Sequence, residues 1–162
     1  YINRKTRWTP LEYKNLGMVV SQTQTNKRLG LKMRTVTENN AVKLYVDGLF
    51  SDNFTGVKLV VYQLENGFIY DQVNYTTFFN GDDIILNFQH DHVLRNILSN
   101  QSGDVIANSN TGNEFSKEYT FALSNAANPE NIEFVAFFIN SNGEVLNARS
   151  IKMNETQEYQ FL

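Results

Sequence analysis

The chain contains no cysteine among its 162 residues. That absence removes disulfides, thiolate metal sites and thiol nucleophiles together. It does not fix a compartment, because many bacterial envelope proteins lack disulfides, whereas a eukaryotic secreted domain of this size more often carries them. Proline is scarce: Pro10 and Pro129 both fall outside the strand-like runs, as ladder hydrogen bonding requires. The longest apolar runs reach about eight residues, far short of the roughly 20 that a bilayer-spanning helix needs. With a net charge of −3 there is no basic excess to favour nucleic acid or anionic lipid. No P-loop, G-x-G-x-x-G or G-x-S-x-G motif is present. Signal peptide and lipobox are also missing, and the opening YINRKTRWTP, without an initiator methionine, reads as that of a fragment.

What is present is a globular composition, 41% hydrophobic and 13% aromatic, long enough to bury a core without staples. Strand patterns dominate. In LGLKMRTV, Leu31 and Met33 alternate with Lys32 and Arg34; in AVKLYVD, Val42, Leu44 and Val46 alternate with Lys43, Tyr45 and Asp47. EYTFAL puts Tyr119, Phe121 and Leu123 on one side. Such a period of two marks strands with one buried face. Residues 56–64 and 132–139 are apolar on both faces and are expected mid-sheet. Residues 18–25 are expected as a first strand and 143–153 as a last one. Asn66-Gly67, Asn80-Gly81 and Asn142-Gly143 supply turns, the last closing a hairpin. Residues 1–16, basic and holding the only tryptophan, are expected to be a linker or a remnant of a preceding domain. Residues 17–162 are expected to form an all-β sandwich, jelly-roll or immunoglobulin-like, of about eight or nine mostly antiparallel strands.

Both histidines sit in NFQHDHVLRN. In a regular strand Ile84, Leu86, Phe88, His90, His92 and Leu94 share one parity, so the residues point to two partly buried rings bonded to backbone or tyrosine. A metal site on His90 and His92 would need a third ligand such as Asp82, Asp83 or Glu65. A hydrolase would use this pair or two of the 17 acidic residues. Asp104, Asn108, Asn110 and Glu114 form a polar stretch with a calcium-like flavour, without the EF-hand pattern. A structural calcium or zinc ion is thus a weak alternative to the favoured reading of no cofactor. Arg4, Lys5, Arg7, Lys27, Arg28, Lys32 and Arg34, with Trp8 nearby, read as solvated faces better than as a nucleic-acid patch. Four N-x-[ST] sequons, at Asn53, Asn74, Asn100 and Asn154, matter only in a eukaryotic secretory pathway. Aromatics crowd residues 50–79. Phe50, Phe54, Tyr70, Tyr75, Phe78 and Phe79 are candidates to stack on a glycan or anchor a partner protein, with closure of the core as the simpler reading.

Four strings in order, His90 to Arg95, Gly103-Asp104, Val135 to Asn140 and Glu144 to Ala148, resemble the Omp28-related family of Bacteroidetes outer-membrane proteins. The resemblance covers most of residues 17–162, and the opening YINRKTRW also fits. It implies a lipid-anchored, surface-exposed protein of the bacterial outer membrane, with a thioredoxin-like domain before this one. It implies adhesion or binding, to a glycan or a host or matrix protein, and no enzymatic activity. Membrane association would run only through an N-terminal lipid anchor. The alternatives are a carbohydrate-active hydrolase or metal-dependent module on His90 and His92, and an architectural spacer for the preceding domain. Within the family wording, Arg95 is expected to pair with Asp91 or Asp104.

Overall fold

A computed structural model describes residues 17, 20, 28–39, 41–122 and 128–161. Residues 1–16 and most of the expected first strand lie outside the described residues; Val20 within that run is helical. The strands are β1 (Leu29–Glu38), β2 (Ala41–Phe50), β3 (Lys58–Glu65), β4 (Phe68–Val73), β5 (Ile84–His90), β6 (Val93–Ile97), β7 (Asp104–Val105), β8 (Glu114–Ala122), β9 (Ile132–Ile139), β10 (Val145–Lys152) and β11 (Gln160–Phe161). Nine have five residues or more, and the two-residue β7 and β11 are additions that no alternation could announce. β10 is therefore not the last strand, because the chain returns to pair β11 with β1.

All pairings are antiparallel. One sheet has the order β11-β1-β2-β8, and the other the order β10-β9-β3-β6, with β7 also on β3. Leu29, Leu31 and Met33 of β1, with Val42, Leu44, Val46 and Phe50 of β2, face Leu59, Val61, Phe134, Ala136, Phe138 and Ile151 across the sandwich. Each of the larger side chains contributes about 1.5–3 kcal/mol by leaving water. The sheets approach closely at Gly48, where a Cβ would stand 2.7 Å from the Phe138 ring. β3 and β9, the two runs apolar on both faces, are interior strands as expected. Their outer faces hold Val60, Phe137 and Ile139, also buried.

Polar side chains close the corner between β1 and β10. Asn147, at a bulge in β10, donates to the carbonyls of Leu29 and Gln160 at 2.7 and 2.9 Å. Arg149 donates to Leu31 C=O at 3.0 Å. The Thr35 hydroxyl donates to Lys152 C=O at 2.7 Å and accepts from Glu155 N–H. These bonds satisfy backbone groups that a flat ladder would otherwise supply.

Candidate functional site

β3 runs into β4 through Asn66-Gly67, and β5 runs into β6 through Asp91-His92. Glu65 opposes Val93 on one side of this junction and Phe68 opposes His90 on the other. The register is unchanged across it, so the four strands form one long ribbon that leaves the sandwich and bends. At the bend, side chains replace ladder bonds. Asn66 Oδ1 accepts from His92 N–H at 2.7 Å, and Asp91 Oδ1 accepts from Gly67 N–H at 2.8 Å. Gly67 and His92 both take positive φ, 76° and 57°, the first of which suits glycine alone among residues without a local polar bond. Two side-chain contacts brace the elbow. His92 Nδ1 lies 3.2 Å from Glu133 Oε2, and Arg95 Nε lies 3.3 Å from Glu65 Oε2 with its guanidinium over the Phe68 ring. The Asp91 carboxyl is held below its ordinary range by Gly67 N–H and then by Gln89.

This geometry corrects the expectation of two histidines side by side on a buried strand face. His90 ends β5 with its ring edge-on to Phe88 at 4.9 Å, while His92 lies in the elbow with its side chain 70% exposed. Arg95 pairs with Glu65, not with Asp91 or Asp104. Among the described residues no three His, Cys, Asp or Glu side chains gather as metal ligands would. Asp82, Asp83 and Glu65 therefore bring no third ligand to the histidines.

Beyond the elbow, β4 and β5 pair only with each other among the described residues. Residues directly opposite share a face. Phe68, Tyr70, Phe88 and His90 line one side, with Phe68 and Tyr70 stacked at 6.1 Å and Phe79 edge-on to Phe88 at 6.4 Å. Ile69, Val73, Ile84 and Leu86 line the other, each at least half exposed. A bulge sets Leu86 and Asn87 opposite Asp71, whose carboxylate accepts from Asn87 N–H at 3.0 Å. Asn74 organises the tip: its amide donates to the carbonyls of Phe78 and Asp82, and its Oδ1 accepts from Thr76 N–H and Oγ1. Tyr75 at 93% exposure, Phe78 and Phe79 project from this scaffold, and Phe79 takes a φ of 58° that bulky residues rarely adopt.

The remaining sequence candidates divide. Phe50 is fully buried and Phe54 packs against it at 6.0 Å, so neither is a contact residue; they close the core. Tyr70, Tyr75, Phe78 and Phe79 all belong to the exposed arm. Asp104 is not a surface-loop carboxylate. It is buried in β7, accepting from Asn100 N–H at 3.0 Å, Lys117 Nζ at 2.7 Å and the Tyr119 hydroxyl at 2.7 Å. Burial pushes its pKa up, but these donors outweigh burial and hold it at about 2. Burial, then the Asp104 carboxylate, raises the Tyr119 phenol well above its ordinary value. Asn108 serves its own loop, accepting from Asn113 Nδ2 at 2.8 Å. Of the basic residues, Arg28 pairs with Asp52, Lys32 with Asp47, and Arg34 covers the Tyr45 ring. The aliphatic face of the arm was missed, because Ile84 and Leu86 carry the alternation of a core strand.

The fold and its outgrowth define a class: a two-sheet antiparallel sandwich that projects a bent two-stranded arm. The sequence model of the family described as outer membrane protein Omp28 matches residues 1–157. The chain belongs to that family, which places it at the bacterial outer membrane. It is similar to a solved domain of the outer membrane lipoprotein Omp28 from Porphyromonas gingivalis, with 20% identity and a TM-score of 0.54 over 78% of this chain and 96% of that one. It is also similar to HBP35 of Porphyromonas gingivalis, with 17% identity and a TM-score of 0.65 over 93% of this chain and 48% of that one. At these identities the likeness shows the fold, and the chain spans about half of HBP35. Among curated proteins none is similar enough to count as a match. Among the described residues no helix is long and apolar enough to cross a membrane.

Proposed function

We propose that this is a non-enzymatic binding domain of a surface-presented outer-membrane lipoprotein, and that the β4–β5 arm is its contact element. One observation carries the reading. The arm exposes Tyr70, Tyr75, Phe78, Phe79, Ile84 and Leu86, with no third strand or covering layer among the described residues. A two-stranded ribbon wet on both faces is marginal alone, and an exposed apolar surface of this kind marks interaction sites. The strained φ of Phe79 points the same way, since such conformations gather at ligand-contacting positions. The concave surface beside the arm is lined by Phe79, Asn80, Asp82, Asp83, Ile84 and Leu86, a mixed apolar and acidic lining that suits contact with a partner. The buried Asp104 carboxylate, held ionised, is taken up by Lys117 and Tyr119. Lipid anchoring and a preceding thioredoxin-like domain are part of the proposal, and the partner is a glycan or a host or matrix protein.

The test replaces residues 68–90 by a short turn and compares the variant with the parent chain. Both are screened on immobilised glycans and matrix proteins, with zinc or calcium added and then chelated. The proposal expects saturable binding by the parent chain and its loss in the arm-less variant, with the melting transition of the sandwich retained. Binding that survives removal of the arm would refute it. Binding abolished by chelation and by His92→Gln would assign the function to the histidines instead.

A further inference from the structure

The arm has a charge as well as an apolar surface. Residues 66–92 include Asp71, Asp82, Asp83 and Asp91 and no lysine or arginine. Asp71 and Asp91 are engaged with backbone N–H groups of the ribbon. Asp82 and Asp83 are exposed where the tip returns into β5, and neither is ion-paired among the described residues. Directly after them come Ile84 and Leu86, 52% and 68% exposed. Among the described residues the outer edge of β5 has no strand on it, and a free edge is a template for an added strand.

These features discriminate among occupants. Sugar rings stack on aromatic faces, but an aliphatic patch offers their hydroxyls nothing. A second copy laid on the same face would bring its own four aspartates against these, and like charges so placed repel. An anionic lipid surface is repelled for the same reason. What remains is an extended protein segment of opposite charge. Resting on the reading of the arm as contact element, we propose that it takes a cationic, extended segment of a partner protein as an added strand beside β5. In that arrangement apolar side chains of the segment lie beside Ile84 and Leu86 of β5, and lysine or arginine meets Asp82 and Asp83.

The test uses the full chain and three labelled synthetic probes read by fluorescence anisotropy. One peptide alternates lysine with valine, a second alternates glutamate with valine, and a third carries the first composition interrupted by prolines. The inference expects saturable binding of the lysine peptide alone, weakened roughly tenfold when salt is raised from low to physiological strength. Asp82→Asn with Asp83→Asn should weaken it roughly fivefold or more, as should Leu86→Ser, with unchanged melting curves because all three sites are exposed. The proline peptide should fail, since it cannot pair along an edge. No binding of the lysine peptide, equal binding of the glutamate peptide, or indifference to the aspartate substitutions would overturn the inference. So would arm-dependent dimerisation in sedimentation. If the parent chain adheres through its arm to a matrix protein or glycan while the peptides show no charge preference, only this inference falls. If adhesion ignores the arm, both fall.

Discussion

Asp104→Asn is the substitution that most directly tests how the sandwich is closed. Asp104 belongs to β7, on the edge of the sheet that holds β3, while Lys117 and Tyr119 belong to β8 of the opposite sheet. Its Oδ2 therefore ties β7 to the opposite layer through two bonds of 2.7 Å, from Lys117 and Tyr119, while Asn100 backbone and side-chain N–H groups fill Oδ1. A fall from the ordinary 3.8 to about 2 in the folded state corresponds to about 2 kcal/mol in favour of folding. Because the folded pKa is the lower one, this stabilisation is fully present above the unfolded value and is lost as pH falls towards the folded one. The asparagine keeps the shape but turns an amide donor or a neutral oxygen towards the Lys117 ammonium. We expect a loss of about 2–3 kcal/mol near neutral pH, read as a urea midpoint lower by about 1 M. Repeated at falling pH, the difference between parent and variant should hold down to about pH 4 and close towards pH 2. Comparing the two chains cancels every other titrating group. A difference that stayed constant to pH 2, or a variant as stable as its parent at neutral pH, would refute the account of Asp104 as a charged clip.

Three further predictions concern the joints of the fold. Asn147→Leu should cost about 1–3 kcal/mol, because the carbonyls of Leu29 and Gln160 lose their donor in a buried corner; thermal unfolding checks it. Gly67→Ala should cost about 1 kcal/mol, since its φ of 76° is unfavourable to alanine and the new Cβ would stand 3.1 Å from Asn131 Nδ2. Hydrogen exchange should quicken in β4 and β5 and not in β1 or β2. His92→Gln should shift stability by less than about 0.5 kcal/mol, because the His92 side chain is 70% exposed and a polar contact made there contributes little; a larger loss in denaturant titration would mean that the elbow depends on the imidazole.

How much of this was legible in the sequence depends on whether a segment keeps one parity. β1 and β2 were read directly, since Leu31, Met33, Val42, Leu44 and Val46 face one core without interruption. The same parity runs on to Phe50, so its burial was available to a reader who continued the count past Val46. The run from Ile84 to Leu94 deceived because it is broken twice, by the bulge at Asn87 and by the elbow at His92, both at positive φ. Asparagine and histidine tolerate that conformation without requiring it, and each break resets which face a side chain takes. Asp104 looked like a loop acid because its partners lie 13 and 15 residues away on another sheet. Burial of a charge is decided by such distant groups, which local pattern does not report.

Three of the four strings that carry the family resemblance are joints of this architecture, and the fourth, Val135 to Asn140, lies largely in the interior strand β9. His92 and Arg95 set and brace the elbow, Gly103-Asp104 clips the sheets together, and the asparagine of Glu-Val-Leu-Asn-Ala is Asn147 at the closed corner. The histidine pair marks where a ribbon of the sandwich turns outward. The tip itself, from Asn74 to Asp83, lies in none of those strings. A frame that fixes the direction of an arm while leaving its tip outside the common wording can present different contacts on one support. On that argument, exchanging residues 74–83 between family members should exchange what the arm binds while leaving the melting transition of the sandwich in place, and an exchange that left binding unchanged would place recognition in the frame and not in the tip.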